Sequence, residues 1–450
     1  MTVSFKTLRY KNLSNWSVAH LLANQFNYNE DFKLERIGNF LLRNKKQILV
    51  SDDAIYTRVK IRLYNKGVKV RDTEIGNKIG TKKQFVIKQG QFLMSKIDAR
   101  NGAFGIATEE LEGAIITADF FAYDIDETKI IPQFLVLLTT TKQFQRFAQS
   151  ASSGTTGRQR MDEKKFLDVK IPLPSIKKQT EIIEKYLEKI QVANNLYTEI
   201  DALSSETERK IFSGLGITKK VNQNNGSLLQ FVKYSALSSW GVNKLLLDRD
   251  MFNSEKYELQ PLRNLCNLIR GVTYKKSSEQ ATAGYRVLRA NNINLDNTLN
   301  FDEIKHISIN EQFSEEKKLR KNDVFICLAS GSKKHIGKVV FIESEMDYYF
   351  GGFMGVIRIN SSLLLPEFLN LILNTSIFND YLGSKIFGSN INNLNSDLLY
   401  DFKIPLPTVD RQKQIVKIVN KTKKLIIHLK ENRSYNNEQA IIQFENEIFK

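Results

Sequence analysis

The chain has 450 residues, enough for two or three domains, and its 42% hydrophobic and 10% aromatic content can supply ordinary buried cores. Sixty-six Lys and Arg against 49 Asp and Glu give a formal net charge of +17, which favours a polyanionic partner through phosphate neutralisation and counterion release. Two cysteines, Cys266 and Cys327, cannot form a disulfide framework and fit a reducing compartment, and the absence of any apolar run of about 18 residues argues against a membrane span.

The chain begins MTVSFKTLRYKNLSNW, without the apolar core of a signal peptide, so a cytoplasmic protein is expected. Tyr10, Leu13, Trp16 and Val18, followed by Leu21 and Leu22, return as Tyr234, Leu237, Trp240 and Val242, followed by Leu245 and Leu246. Phe32, Leu34 and Ile37 pair with Tyr257, Leu259 and Leu262, and Gly105-Ile-Ala pairs with Gly337-Lys-Val. Pro132 and Phe134 then match Pro366 and Phe368, Lys170 to Pro174 (KIPLP) matches Lys403 to Pro407, and Gln179 matches Gln412. An ordered series of this kind marks two copies of one unit of about 225 residues.

Each copy opens with a mixed part. Short alternating or apolar runs, 56–63, 84–88 and 323–328, read as strands, and Pro132 and Pro366 sit where a first helical turn accepts proline. These parts, 1–174 and 226–407, are read as α+β domains. Each is followed by a proline-free stretch, 175–216 and 408–450. In the first, Ile183, Tyr186, Ile190, Ala193, Tyr197 and Ile200 alternate by three and four; in the second, Ile415, Val419, Thr422, Ile426 and Leu429 do the same. Helices of about 35–40 residues reach on the order of 55–60 Å, too far for either seam to be covered by its own domain. The seams are expected to bury each other as an antiparallel coiled coil, in a pseudo-two-fold arrangement with one domain near each end. A polar Asn- and Gly-rich linker, 217–225, joins the copies.

Two variable mixed domains, each closed by I-P-L-P, a short polar step, a Gln and a long helix, resemble the specificity (S) subunits of type I restriction–modification systems. The resemblance covers essentially the whole chain, and is most specific at 170–182, 403–415 and the segment from Gly154 to Met161, GTTGRQRM. The second copy departs from that last segment, reading GSNINNL from Gly388 to Leu394. The resemblance implies two target recognition domains, each reading one part of a split double-stranded DNA site, with the helices as a ruler between them. It implies methyltransferase (M) subunits, two of them, docked one per half, joined by restriction (R) subunits. S-adenosylmethionine, ATP and Mg would belong to those partners and none of them to this chain. A related two-part system with a fused methyltransferase–nuclease partner is the near alternative, and a coiled-coil adaptor that binds no DNA is the distant one.

A catalytic role for the chain itself is not expected. No two prolines are adjacent, so the Asn/Asp-Pro-Pro-aromatic motif of adenine methyltransferases is absent, as is a P-loop. The four histidines, His20, His306, His335 and His428, lack metal-ligand spacing.

DNA contact instead calls for Arg and Lys toward phosphates and guanine edges, and Asn and Gln toward adenine edges, on loops that allow close approach. In the first domain the candidates are Lys96, Arg100 and Asn101, and the segment carrying Ser153, Gly154, Thr155, Thr156, Arg158, Gln159 and Arg160. In the second they are Lys275, Lys276, Arg289, Asn291, Asn292, Ser330, Ser332, Lys333, Lys334, His335, Asn390 and Asn392.

Overall fold

The computed structural model describes residues 28–153, 160–219, 251–386 and 393–449. The tryptophan-centred repeat around Trp16 and Trp240, most of the 217–225 linker, and Gly154, Thr155, Thr156, Arg158, Gln159, Asn390 and Asn392 lie outside the described residues, as do the side chains of Ser153 and Lys333. The chain divides into two compact units, Met1–Thr198 with Leu429–Lys450, and Glu199–His428. The long helices are therefore not bodies of their own: each contributes one segment to each unit.

In the first unit, Lys33–Arg36 and Lys170–Leu173 pair antiparallel, with Arg36 opposite Lys170, and close the base of the domain. Above this clasp stands a four-stranded antiparallel sheet in the order Leu41–Arg43, Phe120–Ile125, Phe92–Ser95 and Phe104–Ile106. A second, five-stranded sheet is built around the long hairpin Ile55–Ile61 and Val68–Ile75. Helices Pro132–Thr140 and Lys142–Ser150 belong to the same core, in which Phe92, Phe104, Phe134, Phe144 and Phe166 are fully buried.

The second unit repeats the plan. Leu259–Pro261 and Lys403–Pro405 form its clasp, and its four-stranded sheet runs Cys266–Arg270, Met354–Ile359, Val324–Cys327 and Val339–Phe341. Helix Pro366–Leu373 stands where Pro132–Thr140 stands in the first copy. The second sheets differ: here it has four strands, in the order Glu279–Gln280, Lys305–Ile307, Tyr285–Leu288 and Tyr349–Phe350, the last pair parallel. The strand registers also correct one step of the repeat read from sequence. Phe104 faces Met94, and Val339 faces Ile326, so the glycine equivalent to Gly337 is Gly102 and not Gly105. Both turn with positive φ, +73° and +80°, a region that glycine enters at no steric cost. Cys266 and Cys327 are buried free thiols, and burial pushes both up to about 12.

The repeated glutamines join helix to domain. Gln179 is 0% exposed; its Oε1 accepts from Ile131 N–H (2.8 Å), and its Nε2 donates to the carbonyls of Lys129 and Pro174 (2.9 Å each). Gln412 is likewise 0% exposed, accepting from Leu365 N–H (2.8 Å) and donating to the carbonyls of Leu363 (2.7 Å) and Pro407 (2.8 Å). In both copies one amide satisfies three backbone groups that burial would otherwise leave without partners.

The helices run Ile176–Leu215 and Val409–Phe449. Gly216 stops the first: it has φ +63°, the usual left-handed helix end. Ile183, Ala193, Ile200, Ile211 and Leu215 are buried along one stripe, and Ile415, Val419, Leu429, Ala440, Phe444 and Ile448 along the other. Tyr186, Ile190, Thr422 and Ile426 are half-buried on the same stripes. Tyr197 departs from the expected seam: it is 53% exposed, and the Arg433 guanidinium covers its ring at 4.8 Å. Its neighbour Leu196 is the more buried, as the drift of a 3.6-residue helix against a seven-residue repeat permits. Within the first unit Arg433 meets Tyr197 while Glu447 pairs with Lys185 (2.5 Å), so the two segments run antiparallel. The last turn reaches the domain core, where Phe444 lies 5.5 Å from Phe134. In the second unit Ile211, Leu215, Ile415 and Val419 share the domain core.

Two outcomes follow. Replacing Gln412 with Ala leaves three buried or part-buried backbone groups without this partner and lowers the second unit's stability by about 2–4 kcal/mol; hydrogen exchange reads this as lost protection in Pro366–Leu373, with Pro132–Thr140 unchanged. Phe444→Ala removes a buried ring at a cost of about 3–5 kcal/mol, and the exchange pattern reverses: Pro132–Thr140 loses protection and Pro366–Leu373 keeps it.

Candidate nucleic-acid interface

In the first unit the candidates gather around the turn that leaves the strand Phe92–Ser95. Lys96 is held through its backbone on both sides: its N–H donates to the Asp119 carbonyl (2.9 Å), and its carbonyl accepts from Met161 N–H (2.8 Å). This fixes it beside the short ladder in which Ser153 faces Arg160. Lys96 Nζ lies 4.2 Å from the Phe121 ring centroid, and the guanidinium of Arg43 lies 4.0 Å from the same ring. Arg160 pairs with Asp119 (3.2 Å), and Arg43 approaches Glu163 (3.6 Å). Two cations thus stand over one aromatic ring, each with a carboxylate or a further cation near it: Glu163 beside Arg43, and Asp119 with Arg160 beside Lys96. Burial lowers the pKa of Lys96, and the charge of Arg43 lowers it further. Burial also lowers that of Arg43, against the opposing pull of Glu163. Arg43 Nη1 is buried without a hydrogen-bond partner. A group carrying acceptor oxygens would relieve both the repulsion and the missing bond.

Arg100 and Asn101 lie on a single 3-10 turn, Ala99–Asn101. The carbonyls of Asn101 and Gly102 accept from the backbone N–H groups of Tyr64 (2.7 Å) and Asn65 (2.8 Å). That hairpin tip turns through three positive-φ residues, Tyr64, Asn65 and Gly67, and carries Arg62, Tyr64 and Lys66 exposed. The turn after Phe92–Ser95 and the hairpin tip therefore form one surface. In sequence, 56–63 reads as a strand alone, and neither this tip nor Arg43 is marked as a contact.

In the second unit four of the candidates line one cleft of about 760 Å³: Lys276, Arg289, Asn291 and Ser330. Tyr274 and Phe353, neither anticipated, form its aromatic wall, and Phe353 is 72% exposed. The floor is Gly351 and Gly352, where the two sheets meet. Glu279 and Glu303 add carboxylates. The Lys305 ammonium bonded to Glu279 (2.6 Å) holds that carboxyl below the ordinary range, with Arg289 and Lys276 adding to the effect. Asn393, next to the candidates Asn390 and Asn392, bridges to Ala329 on the cleft wall.

Asn292 faces the other way. It is 1% exposed; its Oδ1 accepts from Arg289 N–H (2.7 Å) and its Nδ2 donates to the Asn300 carbonyl (2.8 Å). It holds the loop that presents Arg289 and Asn291 and cannot itself reach a ligand. Lys275 is exposed but does not line the cleft, while Ser332, Lys334 and the half-buried His335 lie on the neighbouring one-turn helix and its cap. That helix follows Val324–Cys327 as Ala99–Asn101 follows Phe92–Ser95, so the two copies expose corresponding turns with different side chains. Among the described residues no cluster of His, Cys, Asp and Glu fits a metal ion, and no helix is long and apolar enough to cross a membrane.

The model for the type I restriction modification DNA specificity domain matches this chain twice, over residues 28–202 and 254–436. Among curated proteins, the type I restriction enzyme EcoKI specificity subunit of Escherichia coli (strain K12) is 31% identical over 167 residues, covering 36% of this chain and 35% of that subunit. The chain thus spans about a third of the length of that relative. The type I restriction enzyme MjaVIII specificity subunit of Methanocaldococcus jannaschii is 20% identical over 409 residues, covering 88% of this chain and 87% of that one. A solved chain from work on complex assembly and conformational transition of the type I R-M system superposes with a TM-score of 0.52 at 15% identity, covering 94% of this chain and 99% of its own; this likeness speaks for the fold. With the same domain matched in both units and most of the chain covered, the protein belongs to the family of type I restriction–modification DNA specificity domains.

Proposed function

We propose that the chain is the sequence-specificity subunit of a type I restriction–modification complex. It reads a bipartite double-stranded DNA target, one part with each unit, and serves as the scaffold for methyltransferase and restriction subunits. The observation that carries this reading is the pair of corresponding turns after Phe92–Ser95 and Val324–Cys327. Each is set by the corresponding four-stranded sheet of its own unit, yet one displays Lys96 with Arg43 and Arg160 beside it, and the other opens onto the cleft of Arg289 and Asn291. A common frame with different donors is what two different half-sites require.

In this reading the chain performs no chemistry. S-adenosylmethionine, ATP and Mg act in the partner subunits, with two methyltransferase subunits seated one per half, and the complex works in the cytoplasm. The net charge of +17 supplies the sequence-independent part of the affinity. Methylation mapped across the genome of a host that expresses the methyltransferase with and without this chain tests the assignment. The expected result is a split motif, two short specific parts around a fixed gap, modified only when the chain is present. Identical methylation in both hosts would overturn it.

A further inference from the structure

The cleft of the second unit is chemically unlike a phosphate site. A phosphate is held by donors and cations, and carboxylates are kept away from it. Here Arg289 and Asn291 share the cleft with Glu303 and Glu279. Glu279 is already engaged by Lys305 (2.6 Å), which leaves Glu303 as the available acceptor; among the described residues it accepts from Asn291 Nδ2 (3.1 Å). Arg289 is the unsatisfied donor: its Nε is buried without a hydrogen-bond partner. Its backbone is fixed by Asn292, so the side chain is carried on an ordered loop.

A donor fork beside a carboxylate acceptor matches one base pair in the major groove. Guanine offers O6 and N7 to an arginine, and cytosine offers its N4 amino group to a carboxylate. Adenine–thymine also offers acceptors, N7 and O4, but its N6 amino donor stands between them, so it presents no two adjacent acceptors to an arginine fork. We propose that this cleft reads a single G·C pair, with Arg289 taking guanine and Glu303 taking the cytosine amino group. The inference rests on the DNA-reading function proposed above and assigns one position of its target. Lys276, exposed at the cleft rim, holds the adjoining phosphate.

The test uses the full chain in complex with its methyltransferase. The substrates are duplexes carrying the methylated motif and each single base-pair replacement, and kcat/KM for methylation is the readout. The wild-type complex is expected to discriminate roughly 5- to 150-fold against replacing one G·C pair, the range a bidentate contact supports. Arg289→Gln and Arg289→Lys are both expected to lose that discrimination and to keep it at every other pair. Lysine retains the charge but not the fork, so its failure to rescue separates base reading from phosphate binding. Glu303→Ala is expected to relax the same pair. Unchanged discrimination in Arg289→Gln, full rescue by Arg289→Lys, or relaxation at an A·T pair would overturn the assignment while leaving the specificity function intact. A wild-type complex that methylates every duplex alike would overturn both.

Discussion

Everything above the helices depends on one buried amide in each unit. Gln179 and Gln412 each tie the carbonyl of the last proline of I-P-L-P to the segment just before a domain helix, and do so from the first turns of a long helix. A long helix leaving a domain is a lever, and small errors at its root grow with distance. Three hydrogen bonds from a fully buried side chain fix that root in a way that apolar contact alone does not, because they are directional. The clasp strands add a second constraint, since Arg36 opposite Lys170 and Pro261 opposite Lys403 fix where the chain enters and leaves each domain.

This arrangement separates framework from readout. The clasp, the glutamine, the four-stranded sheet and the proline-started helix recur in both units; the second sheets and the exposed turns do not. Leu268 occupies in the second unit's four-stranded sheet the register that Arg43 occupies in the first unit's, and the Arg43, Lys96 and Phe121 cluster therefore has no counterpart there. In its place the second unit has the cleft beside Gly351 and Gly352. Contact residues can change without moving the helices, because among the described residues no candidate contact residue bonds to either glutamine.

Much of the framework is legible in the amino-acid sequence. The repeat showed itself in ordered matches, and the helices in their three–four spacing and lack of proline. Burial of Ile183, Ile200, Ile415, Val419 and Leu429 follows that spacing. Tyr197 did not, because a strict heptad and a 3.6-residue helix drift apart and Leu196 turns inward instead. The glutamines were visible as a repeat, but their partners lie far upstream in sequence, so their role was not. Arg43 went unnoticed for a similar reason: the rings that stack on it, Phe121 and Tyr123, reach it only when Leu41–Arg43 pairs with Phe120–Ile125. Lys276, Arg289, Asn291 and Ser330 were named one by one; that they face one cleft follows from the meeting of two sheets.

The central claim is that the frame is shared and the readout is carried wholly by what lies between the clasp strands. It is tested most directly by replacing residues 37–169 with residues 262–402 of the same chain, keeping both glutamines and both helices. Genome-wide methylation by the resulting complex is then mapped. The account predicts a motif whose two parts specify the same bases, both taken from the second unit's half. A folded, methylation-competent chimera that still recognises two different parts would contradict it.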